Sequence, residues 1–194
     1  MSHKDDYYNR AKQQGYRARS AYKLRQIDDQ IGLFESGDTV LDLGAAPGGW
    51  LQVAAERVDE AGHVVGVDFQ RIEPLEDHDV VTIRGDLTED ETQDRIESAT
   101  SGVGVVVSDM APNMTGEYDL DHARSVHLAR TAFELAEDLL DSGGNFAVKV
   151  FEGRDLDDFV ADVEGAFDKV SIVRPDASRD SSSEVYVVGV GYLT

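Results

Sequence analysis

Short apolar runs recur along the chain, separated by longer stretches in which apolar positions return every three to four residues. The runs are Val40-Leu41-Asp42-Leu43, His63–Val67, Val80–Arg84, Val103–Val107, Asn145–Phe151, Val170–Val173 and Val185–Val190. Runs of this length predict strands, and their near-continuous apolarity predicts burial on both faces, as in parallel sheets. The intervening periodicity predicts helices over Trp50 to about Val58, Glu89–Ala99, Leu120–Leu140 and Leu156–Phe167. Leu120–Leu140 is the clearest, with Leu128, Ala132, Phe133, Ala136, Leu139 and Leu140 at helical spacing and Ser142-Gly143-Gly144 to end it. Residues 1–34 read as a helical cap whose inner side is Ile27, Ile31, Leu33 and Phe34. Alternating strands and helices predict a mostly parallel sheet with helices on both faces. The last two strands are joined only by the polar loop Arg174–Ser183, which predicts an antiparallel edge. At 194 residues the chain is expected to be one domain, with 1–34 as the cap and 35–194 as an α/β core.

The first strand leads into Gly44-Ala45-Ala46-Pro47-Gly48-Gly49-Trp50. Glycines there let the backbone approach a ligand, and the following helix N-terminus offers unpaired N–H groups. This is how open α/β sheets hold nucleotide-like cofactors. Gly44 and Gly48 are four apart, which is not the dinucleotide spacing. Asp68, Asp86 and Asp109 follow three further strands, and ligands of such sheets sit at the carboxyl ends of strands. Any one of these acids reads equally well as turn chemistry; the three together with the glycine loop point to a site. Trp50 reads either as core or as a cofactor contact. Lys149 lies in a strand that is apolar on both sides, and a lysine there is rare enough to suggest function.

Composition narrows the reading. The formal net charge is −21, yet residues 1–25 carry Lys4, Arg10, Lys12, Arg17, Arg19, Lys23 and Arg25 against Asp5 and Asp6, a net of +5. The rest of the chain therefore carries −26. A basic arm on an acidic body fits a polyanion partner. Tyr7, Tyr8, Tyr16 and Tyr22 are interleaved with the basic residues, as base stacking requires, or else they pack on the sheet. The acidity of the body, with only 5 of 18 basic residues being lysine, suggests a halophile. Cysteine is absent, and the five histidines are scattered, so no metal is expected. There is neither a signal-peptide hydrophobic region nor an apolar run long enough for a bilayer, which implies a cytoplasmic protein without membrane contact.

The segments Ala18-Arg19-Ser20-Ala21-Tyr22-Lys23-Leu24, Leu41–Trp50, Ser108-Asp109-Met110-Ala111-Pro112-Asn113, Val148-Lys149-Val150-Phe151 and Ser183-Glu184-Val185-Tyr186 together resemble the FtsJ-type ribosomal RNA 2′-O-ribose methyltransferases. The resemblance implies a Rossmann-like methyltransferase fold with a seven-stranded sheet. It implies S-adenosylmethionine as cofactor, with contacts at Gly48, Trp50, Asp68, Asp86 and Asp109. It implies a catalytic set of Lys23, Asp109, Lys149 and Glu184, with Lys149 as proton acceptor. The expected substrate is a uridine ribose of large-subunit ribosomal RNA, within the subunit, with no obligate protein partner. Arg17, Arg19 and Arg25 are the expected RNA contacts.

From the residues alone, Lys149 reads as either a base or a donor that orients the hydroxyl. Burial and a neighbouring Lys23 would lower its pKa, while Asp109 and Glu184 would raise it. Competing functions are a transfer-RNA 2′-O-methyltransferase, a nicotinamide dehydrogenase disfavoured by the glycine spacing, and a non-catalytic RNA-binding assembly factor. Any appended RNA-binding domain would lie beyond the last strand.

Overall fold

A computed structural model of the chain describes residues 3–75, 78–179 and 182–194. Met1 and Ser2 of the expected cap lie outside these residues, as do Asp180 and Ser181 of the Arg174–Ser183 loop; the side chains of Lys4 and Asp5 are likewise not described. Two helices open the chain, α1 (His3–Gln13) and α2 (Ala21–Ile31). The sheet begins with β1 (Thr39–Leu43), and α3 (Gly49–Val58) leads to β2 (His63–Asp68) and β3 (Val80–Arg84). Then come α4 (Asp90–Ala99), β4 (Val103–Ser108), α5 (Tyr118–Leu139), β5 (Leu140–Phe151), α6 (Leu156–Glu164), β6 (Phe167–Val173) and β7 (Glu184–Tyr192).

The strands form one sheet in the order β3-β2-β1-β4-β5-β7-β6. The first five are parallel to their neighbours, and β7 is antiparallel to both β5 and β6. This is the predicted seven-stranded mixed sheet. Strand alternation divides the core in two. Leu41, Leu43, Val65, Val67, Val106, Phe146 and Val148 face α5 and α6. Val40, Val64, Val105, Val107, Ala147, Tyr186 and Val188 face α2 and α3, where Leu24, Ile27, Trp50, Leu51 and Val53 cover them.

Element boundaries differ from the sequence reading where pairing overrides local turn signals. Ser142-Gly143-Gly144 does not end a helix: α5 stops at Leu139, and Leu140 already pairs with Val103. The glycines instead absorb a register shift between Val103 and Val105, with Gly143 at φ 84°. The two closing strands are longer than their apolar runs, because β7 takes hydrogen bonds from a neighbour on each side. Tyr16 and Tyr22 are buried and meet edge to face, while Tyr8 is exposed, so most of the tyrosine interleaving serves the packing of the cap. No described helix is long and apolar enough to cross a membrane.

The outer face of α5 and α6 concentrates negative charge. Glu137 has a raised pKa, first from burial and then from Asp138, Glu134 and Asp162. Molar salt shortens the screening length to about 3 Å and relieves such repulsion. The melting temperature is therefore expected to rise steadily between 0.1 and 2 M KCl, with Glu137→Gln more stable than the parent at the low end and equal to it at the high end. A thermal melt that is flat in salt for both proteins would contradict this.

Candidate active site

The glycine loop is held from below and from one side. Gly44 and Ala45 donate their N–H groups to Val67 O at 2.8 and 3.0 Å, and Ala46 N–H donates to Asp68 Oδ2 at 2.9 Å. Asp68 accepts Gln70 N–H through its other oxygen at 2.8 Å, so this carboxylate fixes the loop and the start of its own turn. Gly44 sits at φ 77°, and a Cβ there would fall 2.3 Å from Met110 Cγ; the β4 loop therefore closes directly over it. Gly48, at φ 115°, is the N-cap of α3. Trp50 is buried, donates Nε1–H to Ser20 O at 2.9 Å and packs on Tyr186, so its indole serves the joint between α2 and α3. Asp86 is exposed at the end of β3, where its Oδ1 accepts from the Thr88 N–H and hydroxyl; these bonds lower its pKa.

Asp42 had no assigned role in the sequence, although it interrupts the first apolar run. Its carboxyl is 1% exposed and, among the described residues, Oδ2 has no hydrogen-bond partner. Strand alternation puts it on the α3 side of β1, beneath the glycine loop. Its pKa is raised well above the ordinary carboxylate range, first by burial and then by the charges of Asp109 and Asp68.

The proposed catalytic residues converge at the carboxyl ends of β4 and β5 and the start of β7. Lys149 Nζ donates to Asp109 O at 2.8 Å and lies 3.1 Å from Asp109 Oδ1. Tyr186, fully buried, donates its hydroxyl to the same Oδ1 at 2.6 Å. Burial, then the charges of Asp109 and Glu184, push the Tyr186 hydroxyl well above its ordinary pKa, so it acts as a donor. Lys23, on the first turn of α2, pairs with Glu184, which also accepts from Ser178 Oγ. Burial raises the Glu184 carboxyl, but Lys23, Ser178 and Lys149 outweigh it and the net shift is downward. Tyr186 is the member of this cluster to which sequence reasoning gave no role; its place two residues after Glu184 on the same strand face was the available signal.

The first helix turns of α5 brace the loops that carry Asp109 and follow Lys149. Asp121 accepts from Thr115 N–H, Thr115 Oγ1 and Gly116 N–H. Ser125 Oγ accepts Phe151 N–H, and His122 donates Nδ1–H to Phe151 O at 3.0 Å while Nε2 accepts Asp155 N–H at 3.1 Å. These three buried polar residues therefore satisfy backbone groups where parallel strands end and helices have not yet begun.

The three arginines expected to meet RNA are engaged within the protein. Arg17 donates to Pro47 O at 3.1 Å, Glu73 O at 2.5 Å and Pro74 O at 2.5 Å, tying the glycine loop to the segment after β2. Arg19 donates to Ala177 O at 2.8 Å. Arg25 lies over the Tyr16 and Tyr22 rings.

The profile of the FtsJ-like methyltransferases matches residues 16–192. The chain belongs to this family. It is 67% identical to the ribosomal RNA large subunit methyltransferase E of Halorubrum lacusprofundi, over all of this chain and 73% of that protein. It is 66% identical to the protein of the same name from Haloarcula marismortui, over all of this chain and 77% of that protein. Both organisms are halophilic archaea, in line with the acidic body. A crystal structure of a Plasmodium falciparum protein described as a ribosomal RNA methyltransferase superposes with a TM-score of 0.82 at 25% identity, covering 92% of this chain and 99% of that one.

The cofactor of such a methyltransferase is S-adenosylmethionine, and the residues here fit it. Gly44 and Gly48, both at positive φ, shape the loop at the carboxyl end of β1, and the orphaned Asp42 carboxyl beneath it suits a cationic ammonium. Its raised pKa means the acid form stabilises the ligand-free fold below about pH 4, and that contribution is lost as pH rises through the folded value. Asp42→Asn is therefore expected to raise the melting temperature of the ligand-free protein at pH 8, with the gain vanishing near pH 4. The same variant should weaken S-adenosylmethionine binding by about tenfold or more at pH 8, the loss of one charged hydrogen bond. In the parent, affinity should improve with pH as Asp42 sheds its proton; calorimetry across pH checks both effects, and a pH-independent parent would refute the pairing.

Arg17→Ala is expected to weaken S-adenosylmethionine binding by about three- to tenfold in the absence of RNA, since it releases the glycine loop. Arg19→Ala should leave that affinity unchanged. Equal cofactor binding by both variants and the parent, in the same titration, would assign Arg17 elsewhere.

Proposed function

We propose that the protein transfers a methyl group from S-adenosylmethionine to a ribose 2′-hydroxyl, that of a uridine in large-subunit ribosomal RNA, and that the assembling subunit in the cytoplasm is its substrate. The observation that carries this reading is the Lys149–Asp109–Tyr186 cluster beside the Lys23–Glu184 pair, at the carboxyl ends of β4 and β5 where the Asp109 loop meets the glycine loop. Gly48, Trp50, Asp68, Asp86 and Asp109 are the proposed cofactor positions, with Asp68 and Trp50 acting through the loop and helix they hold. Residues 1–34 form the cap and 35–194 the catalytic core. The naming of the haloarchaeal relatives as large-subunit ribosomal RNA methyltransferases supports the choice of RNA. No obligate protein partner and no metal enter the proposal.

S-adenosylmethionine supplies a sulfonium methyl whose departure leaves a neutral thioether. The ribose oxygen is a poor nucleophile because it holds its proton, so the protein must align it and take that proton. Lys149 Nζ, as the neutral amine, is the proposed acceptor: its lone pair takes the hydroxyl proton as the ribose oxygen attacks the methyl group. Its bond to Asp109 O fixes the amine, and Asp109 Oδ1, shared with Tyr186, balances the ammonium that forms. Lys23 and Glu184 neutralise one another and shape the neighbouring wall. Arg19 and Arg25, half-buried at the surface of the cap, keep the RNA strand oriented toward Lys149.

Lys149→Ala should lower turnover on large ribosomal subunits isolated from a deletion strain by a factor of about 10²–10⁴, the usual contribution of a positioned acid–base group. S-adenosylmethionine affinity should stay within twofold. Mapping of ribose methylation in a deletion strain, complemented by the parent or by Lys149→Ala, identifies the nucleotide. Methylation of transfer RNA in place of ribosomal RNA would redirect the substrate assignment, and normal turnover by the variant would remove Lys149 as acceptor.

A further inference from the structure

Tyr118 opens α5 with its ring 59% exposed, yet it is not loose. Its hydroxyl donates to Glu152 O at 2.8 Å, and one turn later His122 lies nearly parallel beneath it, at 11° and 6.5 Å between centroids. His122 is itself immobilised. Both ring nitrogens are bonded to backbone, and the loop backs onto the ring so closely that a Cβ on Gly153 would lie 2.4 Å from Nδ1. Tyr118 is thus anchored at its hydroxyl and flanked by His122 while most of it stays exposed, as does Met114 four residues earlier in the chain. The anchor at Glu152 is three residues beyond Lys149, roughly 10 Å along the strand direction. That is within reach of a nucleotide adjacent to one whose ribose stands at Lys149.

We propose that Tyr118 is a stacking platform for a base flanking the target nucleotide, a substrate-binding residue beside the active site; this rests on the RNA reading above. A rigid aromatic ring presents a π-face with little conformational entropy left to lose, and base stacking is sequence-tolerant. Two cations of this rim are already committed: Arg174 forks onto Glu152 and Arg154 pairs with Asp155. Arg124, exposed on the same helix as Tyr118, faces the charge of Asp121, so the rim offers little net positive charge to phosphates. In molar salt the gain from counterion release is small in any case, and stacking is the attraction that resists screening.

The test uses the full chain in 2 M KCl with large ribosomal subunits from a deletion strain. Tyr118→Ala is expected to raise KM for RNA about tenfold, with kcat at saturating RNA and S-adenosylmethionine affinity within twofold of the parent. Tyr118→Phe and Tyr118→Trp, which keep a ring, should restore KM. Binding of oligouridylate against an abasic ribose-phosphate chain of equal length should show a preference in the parent that Tyr118→Ala loses. The proposal is overturned if Tyr118→Ala leaves KM unchanged. It is also overturned if Tyr118→Phe fails as badly as alanine, which would assign the effect to the Glu152 bond, or if cofactor affinity falls in place of RNA affinity. Failure of the RNA reading itself is distinguishable, because the parent would then methylate no RNA at all.

Discussion

In the antiparallel pairing of β5 with β7, Lys149 stands directly opposite Tyr186, and Phe151 opposite Glu184. Residues opposite one another share a face of the sheet, and a slip of one position would send both side chains to the other side. The register therefore decides whether a site exists. It puts Lys149, Tyr186 and Glu184 on the face covered by α2 and α3, where Lys23 descends from the first turn of α2 and Asp42 lies beneath the glycine loop. On the opposite face, Val148, Val150, Val185 and Val187 fill the core against α5 and α6. The same pairing thus builds half of the hydrophobic core and aims the polar cluster.

Charge is balanced within that cluster at short range. Each lysine has a carboxylate partner, and Asp109 also holds a tyrosine hydroxyl, so two buried lysine head groups are tolerated. Asp42 stands apart as the buried acid with an unsatisfied oxygen. Burial and two neighbouring acids disfavour its charge, and this is stability withheld from the ligand-free fold at neutral pH. A site that lowers its own stability in this way recovers it when a cationic group arrives.

The cap is structural as much as electrostatic. Arg17, Arg19 and Arg25 hold the glycine loop, the segment before β7 and the tyrosine cluster, so these three of the basic residues in the first 25 are committed within the protein. For an acidic protein suited to concentrated salt, that is physically coherent: free surface cations gain little where screening acts over about 3 Å, whereas short hydrogen bonds and aromatic packing persist.

The sequence by itself determined the element order, the mixed sheet and the position of the glycine loop, because each follows from local periodicity and from residues that only a few backbone shapes accept. It also marked Lys149 through its apolar flanks and the three aspartates through their strand ends. What only the tertiary structure decided is who meets whom. Lys23 and Glu184 are 161 positions apart, and Tyr186 and Asp109 are 77 apart; no periodicity encodes either meeting. Asp42 carried no assigned role until burial left its Oδ2 without a partner among the described residues. Arg17 read as an RNA contact until three carbonyls converged on it. Pattern reports which face a residue occupies, but hydrogen-bond partners across a sheet depend on register and helix docking, and those are settled only when the whole core packs.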